Sequence, residues 1–222
     1  MREKRSLPLK ISCDNLQGMA KELLRKGYDT DRIFIKVGGN NDDINESFLG
    51  PIAERNGSAF LTECGIGGIV TFTYREGLDP GELRLLAKLH DIAPDNVVAP
   101  IAEIYVSDPR MEGRLRRIAH VTELRDGLSL AHFLSTGKCS NGKEKRDTFI
   151  WAGKEAISVL KALHESRAAH GDVHIGNILV SGGTIALIDP QRKRSLESAI
   201  RSDLRHMAWI GEQIAEFERR EV

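Results

Sequence analysis

The chain has 222 residues, 41% of them hydrophobic and 29% charged. That length suits one domain or two small lobes, and the mixture excludes a disordered or fibrous protein. Lys plus Arg number 32 and Asp plus Glu number 32, which excludes a global field that would draw the whole molecule to nucleic acid or an anionic membrane.

In chain order, residues 14–27 (DNLQGMAKELLRKG) predict a short amphipathic helix capped by Asp14 or Asn15 and closed by Gly27. Residues 32–37 (RIFIKV) predict a strand, and GGNNDD after them reads as a turn. A helix broken near Pro51 is expected over 44–55. Strands are expected at 58–64 and 69–75, joined by the turn Gly65-Ile66-Gly67-Gly68. A helix follows at 80–90, with Pro80 in its first turn and Leu83, Leu86 and Leu89 on one face. Strands at 97–106 and 117–124 complete a β-rich half.

The composition changes near residue 125. RDGLSLAHFL reads as a linker and short helix, and 136–147 (TGKCSNGKEKRD) as an exposed polar loop. A long helix is expected over 148–168, burying Ile150, Ala152, Ile157, Leu160 and Leu163. Two short strands, Asn177–Val180 and Thr184–Ile188, flank Ser181-Gly182-Gly183 and predict a hairpin. A last helix spans 195–219. The expected fold is α+β, with a β-rich lobe over 1–124 and a small, mainly helical lobe over 125–222.

Cys13, Cys64 and Cys139 form no CxxC pair and no Cys/His cluster. Structural zinc and a disulfide framework are therefore not expected, and a reducing compartment is. No apolar run reaches the roughly 20 residues of a membrane span. The basic N-terminus MREKRSLPLKIS lacks an apolar signal core.

The chemistry concentrates in 170–190, HGDVHIGNILVSGGTIALIDP. Asp172 and Asn177 lie five residues apart, and Asp189 ends a strand one hairpin later. Phosphoryl transfer uses one carboxylate to orient an attacking hydroxyl, and an amide and a second carboxylate to hold Mg²⁺ against phosphates. The segment resembles the catalytic and metal-binding loops of the protein-kinase-like superfamily. His170-Gly171-Asp172 stands where protein kinases have His-Arg-Asp, and Ile188-Asp189-Pro190 where they have Asp-Phe-Gly. Gly171, His174 and the Ile-Asp-Pro form are closer to aminoglycoside phosphotransferases and atypical kinases.

The resemblance implies a two-lobed minimal kinase-like fold and a centre using ATP and Mg²⁺. Asp172, Asn177 and Asp189 are its catalytic residues, and Asn177 and Asp189 its metal ligands. Asp203 matches the place where the superfamily braces its catalytic loop, the alternative being a solvent-facing helix residue. His170 is expected to support the loop by packing.

The upstream half follows the pattern less closely. Gly65, Gly67 and Gly68 offer a glycine-rich turn, but Thr73 occupies the lysine place of its strand. Either Lys36, in Phe34-Ile35-Lys36-Val37, contacts the ATP phosphates, or Arg75 does. Glu82 is the candidate ion-pair partner of that cation. Gly38-Gly39-Asn40-Asn41 is another candidate nucleotide-facing loop. Glu123-Leu124-Arg125-Asp126-Gly127 resembles the hinge between lobes, where backbone groups, those of Glu123 and Arg125 among them, would bond the adenine edge with no particular side chain required.

Only 33 residues follow Asp189, and an open cleft suits a macromolecular acceptor. The expected activity is therefore that of a minimal atypical protein kinase acting on Ser or Thr of a protein substrate. Its size is similar to that of compact effector kinases that bacterial pathogens deliver into host cells. A small-molecule kinase and a nucleotide-binding pseudokinase remain the alternatives. A monomer is expected, cytoplasmic or host-delivered, without nucleic acid or a membrane span. Arg192, Lys193 and Arg194 read as a solvated basic turn or as a contact for an acidic substrate.

Overall fold

A computed structural model describes residues 8–38, 48, 69–73, 79, 81–107, 114–135 and 142–219. The fold is α+β, β-rich in its first half and mainly helical in its second. The chain divides into two compact units, one of Met1–Arg84 with Ala99–Leu124, the other of Leu85–Val98 with Arg125–Val222.

The first unit is built on a five-stranded sheet. Its strands are β1 (Leu9–Ser12), β2 (Ile33–Gly38), β3 (Ile69–Thr73), β4 (Pro100–Ser107) and β5 (Leu115–Glu123), in the order β1-β4-β5-β2-β3. β1 pairs β4 in parallel and β2 pairs β3 in parallel, while β5 runs antiparallel to both β2 and β4. Alternation decides which side is dry. Ile33, Ile35 and Val37 of β2, Ala102, Ile104 and Val106 of β4, and Ala119 and Val121 of β5 join one core. Helix α1 (Leu16–Arg25) adds Leu16, Met19, Ala20 and Leu23 to it. Each such large apolar side chain contributes about 1.5–3 kcal/mol by leaving water. Asn15 caps α1 by accepting from the Gly18 N–H at 2.8 Å, as the sequence suggests.

Helix α2 (Glu82–Ile92) buries Leu83, Leu86 and Leu89 as their spacing predicts. The expected helix over 44–55, the strand at 58–64 and the Gly65–Gly68 turn lie outside the described residues, apart from buried Phe48.

The second unit packs α4 (Gly142–Glu165) antiparallel to α5 (Leu196–Arg219), with β6 (Leu128–Ser129), β7 (Ile178–Ser181) and β8 (Thr184–Leu187) as a small sheet and α3 (Leu130–Ser135) beside β6. Gly182 and Gly183 turn the β7–β8 hairpin with φ of 51° and 83°, a region glycine enters without steric cost.

Two expectations need correction. Helix α4 starts at Gly142, so 142–147 is helical and not loop. Those polar residues form a solvated helical face, where Lys143 pairs with Asp147 one turn on at 2.8 Å. The stripe is also shifted in phase. Phe149, Gly153, Ala156 and Val159 are buried with Ala152, Leu160 and Leu163, while Ile150 and Ile157 are half-buried. Phe149 anchors it through edge-on contacts with Trp209 and Phe217 of α5.

Candidate active site

In the second unit, α4 ends at Glu165 and the chain runs as a loop through Asp172 into the 3-10 turn Ile175–Asn177. The loop is fastened from α5. The carboxyl of Asp203, fully buried, accepts from the His170 N–H at 2.9 Å and the Gly171 N–H at 2.8 Å. His164 Nε2 lies 3.1 Å from the same carboxyl. Asp203 is therefore a loop brace, not a solvent-facing helix residue.

Further bonds lace the loop to the segment carrying Asp189. His170, also fully buried, holds the Ile188 carbonyl from Nε2 at 2.9 Å. A carbonyl acceptor requires the proton on Nε2, and burial keeps the ring's pKa below its usual value, so the ring is neutral. The His170 carbonyl accepts from the Gln191 N–H at 2.9 Å, and the Asn177 carbonyl from the Ile188 N–H at 3.1 Å. Asn177 is buried, and its Nδ2 donates to the Asp172 backbone carbonyl at 2.9 Å. With residues 188 and 191 pinned, Asp189 is held at φ 51°, a left-handed conformation that costs a non-glycine residue about 1–2 kcal/mol. Asp189 is exposed and Asp172 half-buried. The second unit thus carries Asp172, Asn177 and Asp189 on one laced group of turns.

Gly171 makes that lacing possible. Its φ is 82°, and a Cβ there would sit 2.2 Å from the Gln191 carbonyl oxygen. Gly171→Ala should cost about 2 kcal/mol or more, because neither backbone strand can yield without breaking a bond. Thermal unfolding measures this, and a melting temperature equal to wild type would contradict it.

Among the described residues no group of three or more His, Cys, Asp or Glu could hold a metal ion. The donor set of Asn177 and Asp189 nonetheless fits Mg²⁺. That ion takes hard oxygen ligands, uses one or two carboxylates and completes its shell with water and phosphate oxygens. Because Nδ2 of Asn177 is engaged with Asp172, its amide presents Oδ1 as the remaining polar end.

In the first unit, Lys36 Nζ donates to Glu82 Oε1 at 2.8 Å, with both side chains largely buried. Lys36 projects from the sheet face opposite the α1 core. Its cross-strand neighbours are His120 and then Glu103. Glu103 is buried and receives Arg117 Nη1 at 3.1 Å and the Tyr105 hydroxyl at 2.8 Å. His120 is buried with neither ring nitrogen bonded among the described residues, and its pKa falls to about 4, chiefly through burial. It is neutral at pH 7, so its 3.8 Å approach to Glu82 Oε2 is no ion pair there. A folded pKa below the unfolded value of about 6.5 means His120 favours the fold above pH 6.5, an advantage lost as pH falls toward 4.

The other upstream candidates divide. Gly65, Gly67, Gly68 and Arg75 lie outside the described residues, as do Gly39, Asn40 and Asn41. The Glu123 and Leu124 N–H groups donate to the Ala99 and Arg32 carbonyls at 2.8 Å each, so these two amides are used within the sheet. The Arg125 guanidinium donates to the Asp95 and Pro94 carbonyls at 2.6 and 2.9 Å. Its side chain holds the turn after α2. The polar row of Glu103, Arg117 and His120 escapes sequence reading, although Glu103 within the apolar run of β4 is a local signal for it. His164 has none, since its partner is 39 residues away.

No protein-family model matches the chain, and no curated protein matches it. One solved structure similar to it is that of a PAN3 pseudokinase mutant from Neurospora crassa, 15% identical, with a TM-score of 0.42. The similarity covers 62% of this chain, which spans 36% of the length of that one.

Proposed function

We propose that the chain is a kinase-like phosphotransferase that moves the γ-phosphoryl group of ATP to a Ser or Thr hydroxyl of a protein. The observation that supports this reading most is the laced loop of the second unit. Asp203 and His170 hold the backbone so that Asp172, Asn177 and Asp189 stay on neighbouring turns. Such rigidity suits a reaction whose barrier is lowered by positioning and electrostatics.

The Asp172 carboxylate orients the acceptor hydroxyl and takes its proton as the new O–P bond forms and the bond between the γ-phosphorus and the β–γ bridging oxygen breaks, ADP leaving with that oxygen. Asn177 Oδ1 and the Asp189 carboxylate would hold Mg²⁺. When bound, Mg²⁺ neutralises charge on the phosphates. Lys36, aligned by Glu82, contacts the nucleotide phosphates.

A protein acceptor is favoured over a small molecule by the exposure of side chains around the loop in the second unit. His174, Asp189, Arg192 and Arg194 are exposed, and only residues 190–195 separate Asp189 from α5. A small ligand requires a pocket that encloses most of its surface.

The nucleotide assignment is tested through Lys36. A charge-assisted hydrogen bond is worth about 1.5–3 kcal/mol, so Lys36→Met should lower kcat/KM for ATP by roughly 10- to 100-fold. Glu82→Gln should act in the same direction, and the double variant should lose less than the sum. Steady-state kinetics against ATP reads this. Wild-type kcat/KM in Lys36→Met would remove the residue from the nucleotide site.

A further inference from the structure

The segment after Asp189 is unusual in its charge and in how it is held. Arg192 and Arg194 are exposed and Lys193 is half-buried. Among the described residues neither arginine bonds a carboxylate, and the Lys193 ammonium contacts only the Gln191 side-chain oxygen. The nearest following carboxylate, Glu197, is taken by Arg201 at 2.9 Å. Among the described residues these three neighbouring cations therefore bond no carboxylate, in a molecule whose net charge is zero.

Their position is fixed relative to Asp172. The Gln191 N–H is bonded to the His170 carbonyl at 2.9 Å. The hydrogen that replaces a side chain on Gly171 faces the Gln191 carbonyl, and Lys193 Cγ lies 3.5 Å from where a Cβ would stand. Lys193 thus packs on the residue directly before the acceptor-orienting carboxylate. A freely solvated basic turn would need none of these constraints.

We propose that Arg192, Lys193 and Arg194 form the docking surface for the acceptor, and that the acceptor is a peptide carrying Asp or Glu beside its reactive hydroxyl. This rests on the phosphotransferase reading and narrows its substrate class. Arginines match carboxylates through paired N–H donors, and among the described residues neither Arg192 nor Arg194 bonds a carboxylate. Nucleic acid fits less well, because residues 190–198 (PQRKRSLES) offer no aromatic ring on which a base could stack.

The test uses the full chain and four fluorescent probes in about 0.15 M salt, close to physiological strength. Three are decapeptides with one central Ser, flanked by Glu and Asp, by Gln and Ala, or by Lys. The fourth is a single-stranded oligonucleotide matched in charge to the acidic peptide. Three exposed contacts of this type should favour the acidic peptide over the neutral one by about tenfold in Kd. Arg192→Glu/Lys193→Glu/Arg194→Glu should invert the preference toward the Lys-flanked peptide, a gain that an unfolded protein cannot show. Arg192→Lys/Arg194→Lys should keep the acidic preference.

Equal binding of the three peptides by wild type overturns the proposal. So does an acidic preference that survives charge reversal, or oligonucleotide binding as tight as that of the acidic peptide. The same mixtures with Mg²⁺ and γ-labelled ATP separate the two claims. Selective binding with labelled acidic peptide supports both. Selective binding with no label in any peptide sustains the acidic-peptide surface and counts against phosphoryl transfer.

Discussion

Asp172→Ala is expected to lower kcat for phosphoryl transfer by about a thousandfold while leaving ATP affinity within a few-fold of wild type. A positioned proton acceptor contributes typically ~10²–10⁴ in rate, and in the proposed reaction this carboxylate also aligns the hydroxyl. The structure makes the variant a clean one. Asn177 bonds the backbone carbonyl of Asp172 and not its side chain, and the Asp203 brace acts on residues 170 and 171. Removing the half-buried Asp172 side chain therefore leaves the lacing in place. Single-turnover kinetics with γ-labelled ATP, beside nucleotide titration, separates chemistry from binding. A loss of ATP affinity equal to the loss of rate would mean that Asp172 serves the nucleotide and not the acceptor.

Asp203→Ala is expected to destabilise the protein by about 4 kcal/mol. The wild-type carboxyl is fully buried and accepts two backbone N–H groups. Each buried donor left without an acceptor costs about 1–3 kcal/mol, and the vacated volume adds to that. His164 also loses its partner at 3.1 Å. Activity should fall with stability, because the loop that carries Asp172 loses its hold on α5. Asp203→Asn keeps one acceptor oxygen and should lie between. Urea denaturation at constant m-value measures both. A cost under about 1 kcal/mol for Asp203→Ala would mean that water replaces the carboxyl.

The contrast between these variants separates the two kinds of buried and half-buried carboxyl in the second unit. In the proposed reaction Asp172 acts through its side chain on a substrate outside the protein. Asp203 acts through its side chain on the protein's own backbone. The first should change rate with little change in stability, and the second should change both.

Much of this was legible in the sequence, because it depends on local rules. Helices α1, α2 and α5 announce themselves by apolar spacing, and the β7–β8 hairpin by its Gly182-Gly183 turn. The 170–190 segment carries Asp172, Asn177 and Asp189, the three proposed site residues, at fixed spacing. Other features depend on contacts far apart in the chain. The start of α4 was hidden because a polar solvated helical turn and a polar loop have the same composition. The phase of α4 is set by Phe149, which meets Trp209 and Phe217. Asp203 was ambiguous because a braced and a solvated helix residue look alike until His170 and Gly171 are placed beside it. The Arg125 side chain could not be assigned because its acceptors are backbone carbonyls, which leave no mark on residue type. Lys36 and Glu82 lie 46 residues apart, and the resemblance names Glu82 as the cation's partner where strand and helix periodicity do not pair them.

The account stands most directly on whether the protein transfers phosphate. Purified full-length chain with Mg²⁺ and γ-labelled ATP should label proteins of a cell lysate, or the acidic Ser peptide. Labelling should disappear with chelation of Mg²⁺ and in Asp172→Ala. ATP that binds without any Mg²⁺-dependent loss of its γ-phosphate, or labelling unchanged in Asp172→Ala, would contradict it.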